Sequence, residues 1–172
     1  KNGLTLLALI WFLYCLFQIF NPNSSSIVAW LTGVRSLGIY FVVIVFLTSI
    51  FLDNIKRIRQ FMLIWAILSL LAVLKAFIQK TYGFDASELR WLFVDGGNNT
   101  HILYYGIRYF SFFTDAGNFG TGMAFYGVVF GIYSFYVKNI KSKIFFVVTA
   151  LICAYGMIIS GTRGSLAVPF AA

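Results

Sequence analysis

The chemistry available to this sequence sits mainly in three arginines. Arg35 stands in "LTGVRSLG", Arg108 in "YYGIRYFS" and Arg163 in "SGTRGSL". Each lies at or just inside the end of an apolar segment, beside Gly, Ser or Thr, and small neighbours let a backbone or a ligand approach a guanidinium closely. The stretch "HILYYGIRYFSFF", His101 to Phe113, adds further polar groups. Read as a helix, it places His101, Tyr105, Arg108 and Phe112 at i, i+4, i+7 and i+11 on one face. A histidine and an arginine two turns apart, interleaved with tyrosine, would line a polar crevice suited to phosphate and sugar. The same spacing equally suits headgroup contacts within an aromatic belt. Asp115, in "TDAGNFGTG", is either the N-cap of the helix that follows or a carboxylate with a chemical role.

Other chemistries lack their residues. The sequence has no HExxH, no GxSxG and no acidic metal cluster, so neither a protein-bound metal nor another cofactor is expected. Gly120, Ala124, Gly127 and Gly131 recur at helical spacing, which describes a close-packing stripe and not a nucleotide-binding loop. Cys15 and Cys153 lie far apart inside apolar runs and read as packed or lipid-facing thiols.

The elements that must position the arginines are membrane helices. Of 172 residues, 60% are hydrophobic and 10% charged, against about 25% charged in a soluble domain. The net charge of +8 is gathered in short clusters between apolar runs, which encodes topology and does not indicate a nucleic-acid partner. A spanning helix needs about 20 apolar residues. Five stretches qualify: Leu4 to Phe20, Ile27 to Leu52, Phe61 to Gln79, Asn118 to Val137 and Ile144 to Ser160, with a sixth starting near Ser165. The expected fold is an all-α, polytopic transmembrane bundle of five to six spans, residues 1–172 forming one transmembrane domain. The chain opens without an initiator Met and stops just after a new apolar segment begins, so it reads as a piece of a longer protein.

"DNIKRIRQ" and "KNIKSK" are basic loops separated by two spans, and both belong in the cytoplasm. The "NPNSSS" turn, residues 80–117 and "SGTRG" then face outward, together with Arg35, Arg108 and Arg163. Lys75 and Lys80 can reach headgroups from a helix end. Within the outward segment, Asp85 and Glu88 form a capping-box pattern that predicts a short interfacial helix from about Ala86, and His101 to Phe113 suits an interfacial or re-entrant helix.

Taken together, "LTGVRSLG", "RYFSFFTDAGNFG" and "ISGTRGSL" resemble the bacterial O-antigen ligase and O-antigen polymerase family. Its members show a Ser-x-(Ser/Thr)-Arg-Gly motif at an outer helix end and an Asp-Pro-Asn-like motif before another helix. Here Asp115-Ala116-Gly117-Asn118 stands in place of the latter, one residue longer and without proline. The resemblance implies a metal-independent glycosyltransferase at the outer face of the bacterial inner membrane. It would move a glycan from an undecaprenyl-diphosphate carrier to an acceptor glycan or lipid A core, with membrane lipid around it. It implies that Arg35, Arg108 and Arg163, with Tyr105, bind the substrate, the guanidinium forks matching phosphate oxygens. His101 and Asp115 are then the catalytic candidates for the base that activates the acceptor hydroxyl. Two other readings compete. A lipid-linked sugar flippase or transporter would place ionisable groups at mid-depth in several spans, where this sequence is clean. A non-catalytic membrane assembly protein would need none of the arginines.

Overall fold

Long apolar runs without internal proline leave the backbone little choice but to satisfy its own hydrogen bonds, and the computed structural model is helical almost throughout. It describes residues 2–22, 26–97, 101–104 and 106–171. Among these, four helical stretches are long and apolar enough to cross a membrane: Gly3–Phe20, Ile27–Phe51, Ile55–Tyr82 and Ile140–Ile159. The chain divides into two compact units, Lys1–Met62 and Leu63–Ala172.

In the first unit, α1 (Asn2–Phe17) runs into a 3₁₀ turn, Gln18–Phe20. Ser26 caps α2 (Ile27–Gly33), its hydroxyl oxygen accepting from the Ala29 amide at 3.1 Å. The helix then widens into a π-helical segment, Val34–Ile39, before α3 (Tyr40–Phe51). A π turn disturbs the regular backbone ladder, and here Trp11 Nε1 donates to the Leu37 carbonyl (3.0 Å). Trp30 Nε1 donates to the Cys15 carbonyl (3.2 Å), so two indoles tie α1 to the α2–α3 span. Gly38 makes the approach possible, since a Cβ there would lie 3.1 Å from the Phe12 ring.

Helix α4 (Ile55–Tyr82) is longer than the apolar stretch suggested at either end. Its first turns include Lys56, Arg57 and Arg59, which the sequence places in a loop. Asn54 Oδ1 accepts from the Lys56 amide (3.0 Å) and Asp53 pairs with Arg57 (2.9 Å), so the cluster starts the helix. The second unit continues with α5 (Ala86–Phe93), a short antiparallel pair β1 (Ile102–Leu103) and β2 (Gly106–Ile107), then α6 (Ala116–Tyr136) and α7 (Ile140–Ile159). A 3₁₀ turn, Arg163–Leu166, leads into α8 (Ala167–Ala171) where the sequence suggested the start of a sixth span. Helix α6 is 21 residues long and carries no Asp, Glu, Lys or Arg, but with five glycines it is not among the four most apolar stretches.

The α6 small-residue stripe packs as its spacing predicts over most of its length. A Cβ on Gly127 would lie 3.3 Å from the Ala150 carbonyl of α7, and Ala124 is buried, whereas Gly131 meets nothing. From α7, Gly156 reciprocates: a Cβ there would come within 2.7 Å of Val73 on α4 and 3.2 Å of Met123 on α6. Phe119, Met123 and Phe130 fill the space these glycines leave, with Trp65 edge-on to Phe130.

Candidate functional site

The stretch His101 to Phe113 is not the helix its apolar length suggests. Ile102 pairs with Ile107 and Leu103 with Gly106, in an antiparallel hairpin. Gly106 sits at φ +137°, a conformation that favours glycine and that no helix contains. His101 and Arg108 therefore stand opposite each other just outside the strand pair, the Arg108 amide donating to the His101 carbonyl at 2.8 Å. Proximity survives the loss of the helix, but the two side chains go to different places. Tyr105 lies outside the described residues.

His101 is fully buried. Trp91 and Phe110 hold it edge to face, with ring centroids at 4.8 and 5.0 Å. Its Nε2 accepts from the Ala116 amide (3.1 Å), and its Nδ1 lies 2.9 Å from the Gly97 carbonyl. An amide can only donate, so Nε2 must present its lone pair and Nδ1 must carry the proton. The lone pair that would take a proton from an acceptor hydroxyl here accepts from the first turn of α6.

Arg108 extends to the far end of α7. Its Nε donates to the Ser160 carbonyl (3.3 Å) and its Nη2 to Thr162 Oγ1 (2.6 Å). Thr162 Oγ1 in turn donates to the Ala116 carbonyl (3.0 Å). The contacts close a ring: His101 to Ala116, Ala116 to Thr162, Thr162 to Arg108, and Arg108 back to the His101 backbone. Two glycines admit it. Gly161, at φ +67°, turns the chain at the end of α7. Gly120 lies so close under the turn that a Cβ would collide with Ser160 Oγ and reach 2.8 Å from Thr162.

Arg163 follows Thr162 directly and is exposed. With Met157, Ile158, Gly161, Thr162 and Leu166 it lines a cavity of about 330 Å³ that has an apolar wall and a cationic edge. Asp115 is the N-cap of α6, accepting from the Gly117 amide at 3.1 Å, and its side chain remains 40% exposed. Its Oδ1 is 3.8 Å from His101 Nε2. The capping role is therefore realised, and the exposed carboxylate is open to a second one. Arg35 is exposed on the π-helical segment of the first unit.

A second polar cluster holds the Arg108 segment from behind. Gln79, buried on α4, accepts from the Ser111 amide (2.9 Å) and donates both to the Ser111 carbonyl (3.2 Å) and to Glu88 (2.8 Å). Ser111 adopts φ +57°, unusual for a residue other than glycine, and its hydroxyl donates to the Ala72 carbonyl (2.6 Å). Lys75 does not reach for headgroups: Nζ lies 2.8 Å from Glu88 and 3.0 Å from Asp85. The predicted capping box at Asp85 and Glu88 is present in full. Hydrogen bonds from Ser87, from the Glu88 amide and from Lys75 hold the Asp85 carboxyl well below the usual carboxylate range. Because the shift is downward, the cap contributes fully above the ordinary carboxylate pKa and is lost as pH falls through the lowered one.

Sequence reasoning missed Thr162, Ser160, Gln79 and Ser111. Thr162 was visible inside "SGTRG", but only the hairpin explains why a hydroxyl is needed there. No family model, curated protein or solved structure matches the chain.

Proposed function

We propose that this chain belongs to a membrane glycosyltransferase of the O-antigen ligase or polymerase type, acting at the outer face of the bacterial inner membrane. Its donor is an undecaprenyl-diphosphate-linked glycan and its acceptor a glycan or lipid A core. The acceptor hydroxyl attacks the anomeric carbon, the bond from that carbon to the diphosphate oxygen breaks, and undecaprenyl diphosphate leaves. The hydroxyl proton passes to a base, for which Asp115 is the candidate in these residues. Arg108 and Arg163 hold the diphosphate.

One observation carries this reading: Arg108 is hydrogen-bonded to Ser160 and Thr162, which brings a second guanidinium onto the turn that already bears Arg163. Arg163 at the edge of a cavity with an apolar wall, and Arg108 held on the same turn, suit a phosphorylated lipid. Charge that develops on the leaving diphosphate is best stabilised by donors fixed in advance where water is scarce. Arg35 belongs to the other unit, and its part in binding rests on its sequence setting.

The test is glycan transfer from a lipid-linked donor by the full protein in membranes. Arg163→Ala should lower the rate by about 100-fold or more, the usual cost of losing one preorganised donor. Arg163→Lys should restore little, since a point charge does not replace a fork. Wild-type product length and amount from Arg163→Ala would overturn the diphosphate assignment and favour an assembly role.

A further inference from the structure

We infer that α5 is a membrane-docking helix: its exposed edge, Leu89 and Phe93 with Val94 beyond them, is seated among phospholipid acyl chains at their boundary with the headgroups. The contact stands whether or not the chain transfers a glycan.

The polarity of α5 is reversed. Glu88 and Leu92, four residues apart, share the face turned to the protein. The Glu88 side chain is only 11% exposed and meets Lys75 Nζ and Gln79 Nε2, each at 2.8 Å. Leu92 is fully buried, in a cluster with Phe110 and Ala116. The next pair at the same spacing, Leu89 and Phe93, turns away and is 43% and 58% exposed, and Val94 just after the helix is 73% exposed. A helix lying between protein and water turns its apolar stripe to the core and its charges outward. Here a carboxylate is inside and partnered while two large apolar side chains are left outside, an arrangement that is favourable where the outside is hydrocarbon.

The level of α5 along α4 says what lies outside. Its partners are on the flank of α4 and not at its tip. Lys75 and Gln79 come seven and three residues before α4 ends at Tyr82, about 10 and 5 Å back along the axis. Ser111 reaches further back, its hydroxyl donating to the Ala72 carbonyl (2.6 Å). Over the same turns α4 exposes Leu74, Phe77 and Ile78, and α4 is long and apolar enough to cross a membrane. The exposed edge of α5 therefore continues, at the same depth, the lipid-facing surface of α4. The charges agree. Arg90, three residues before Phe93, is exposed on the flank of the edge, where a guanidinium reaches lipid phosphates while its stem stays among apolar groups. Asp85 and Glu88, which phosphates would repel, are both paired with Lys75.

The experiment uses the full chain. With p-benzoylphenylalanine in place of Phe93, irradiation in native membranes should give a phospholipid adduct by mass spectrometry, and the same photolabel in place of the exposed Asp95 should lose it. An adduct to another polypeptide, a second copy of this chain included, or no adduct at Phe93 would overturn the docking. A second measurement places spin labels at Leu89→Cys and, separately, at Phe93→Cys, the two native cysteines being buried, in nanodiscs that hold one copy each. Oxygen should relax both labels more than a water-soluble nickel complex does, and the order should reverse at Asp95→Cys. Stronger relaxation by nickel at Leu89 and Phe93 would put the edge in water, and exclusion of both reagents would put it against protein; either result sinks the proposal. Leu89→Cys decides the matter if the Phe93 variants do not fold.

Discussion

Among the described residues, the unit Lys1–Met62 buries Ala8, Cys15, Val34, Val45 and Met62, whereas Leu63–Ala172 buries Gln79, His101, Ser111, Ser160 and Ser165 alongside its phenylalanines and methionines. Both units are built from long apolar helices, so hydropathy does not distinguish them. The difference is in what the interior asks of its neighbours. An apolar contact can slide or repack, but a buried polar group must find its partner at a fixed distance and angle. The second unit therefore holds particular atoms in particular places. Arg108, Thr162 and Asp115 are where they are because buried amides, carbonyls and an imidazole leave them few alternatives.

The contrast can be tested most severely at Arg108. Arg108→Ala should reduce transfer by about 100-fold or more, measured as product formed from a lipid-linked donor, while Arg35→Ala in the other unit measures whether that guanidinium shares the task. Gln79→Leu should come next. It leaves the Ser111 amide and carbonyl buried without their partner, at a cost of about 1–3 kcal/mol, read as a fall in thermal or denaturant stability in detergent. Gly120→Ala should cost about the same, about 1–3 kcal/mol, because its methyl group meets the Ser160–Thr162 turn. Gly131→Ala is its control: the space there is open, and removing a helical glycine should leave stability unchanged or raise it by up to about 1 kcal/mol. Trp11→Phe should have the smallest effect. It removes one indole bond to a carbonyl in the first unit, worth about 0.5–1.5 kcal/mol, and should leave transfer untouched. A transfer defect in Trp11→Phe as large as that of Arg108→Ala would erase the distinction between the units.

The membrane-helix class and much of the local capping were legible in the sequence because both depend on near neighbours. Uncharged runs specify helices, Asp85 with Glu88 specifies the start of α5, and Asp115 specifies the start of α6. The site was legible only in its parts. Arg108 and His101 were singled out, and they are adjacent, but through a hairpin. The signals for that hairpin were Gly106 at the centre of the stretch and the β-branched and aromatic residues around it, Ile102, Tyr104, Ile107 and Tyr109. The role of Thr162 and the clamp of Gln79 on Ser111 depend on contacts 54 and 32 residues apart, and no local pattern encodes such a distance. The basic cluster at Lys56 to Arg59 breaks the apolar run but not the helix, because Lys and Arg are good helix formers and lengthen it beyond its apolar stretch.

The wide turn at Val34–Ile39 has a consequence for the span that contains it. It holds one residue more than an α-helical turn, so the face counted along α2 does not continue along α3 but reappears about 100° around the axis. The two halves of that helical stretch present their side chains in different directions, so one continuous rod addresses one set of neighbours before the turn and another after it.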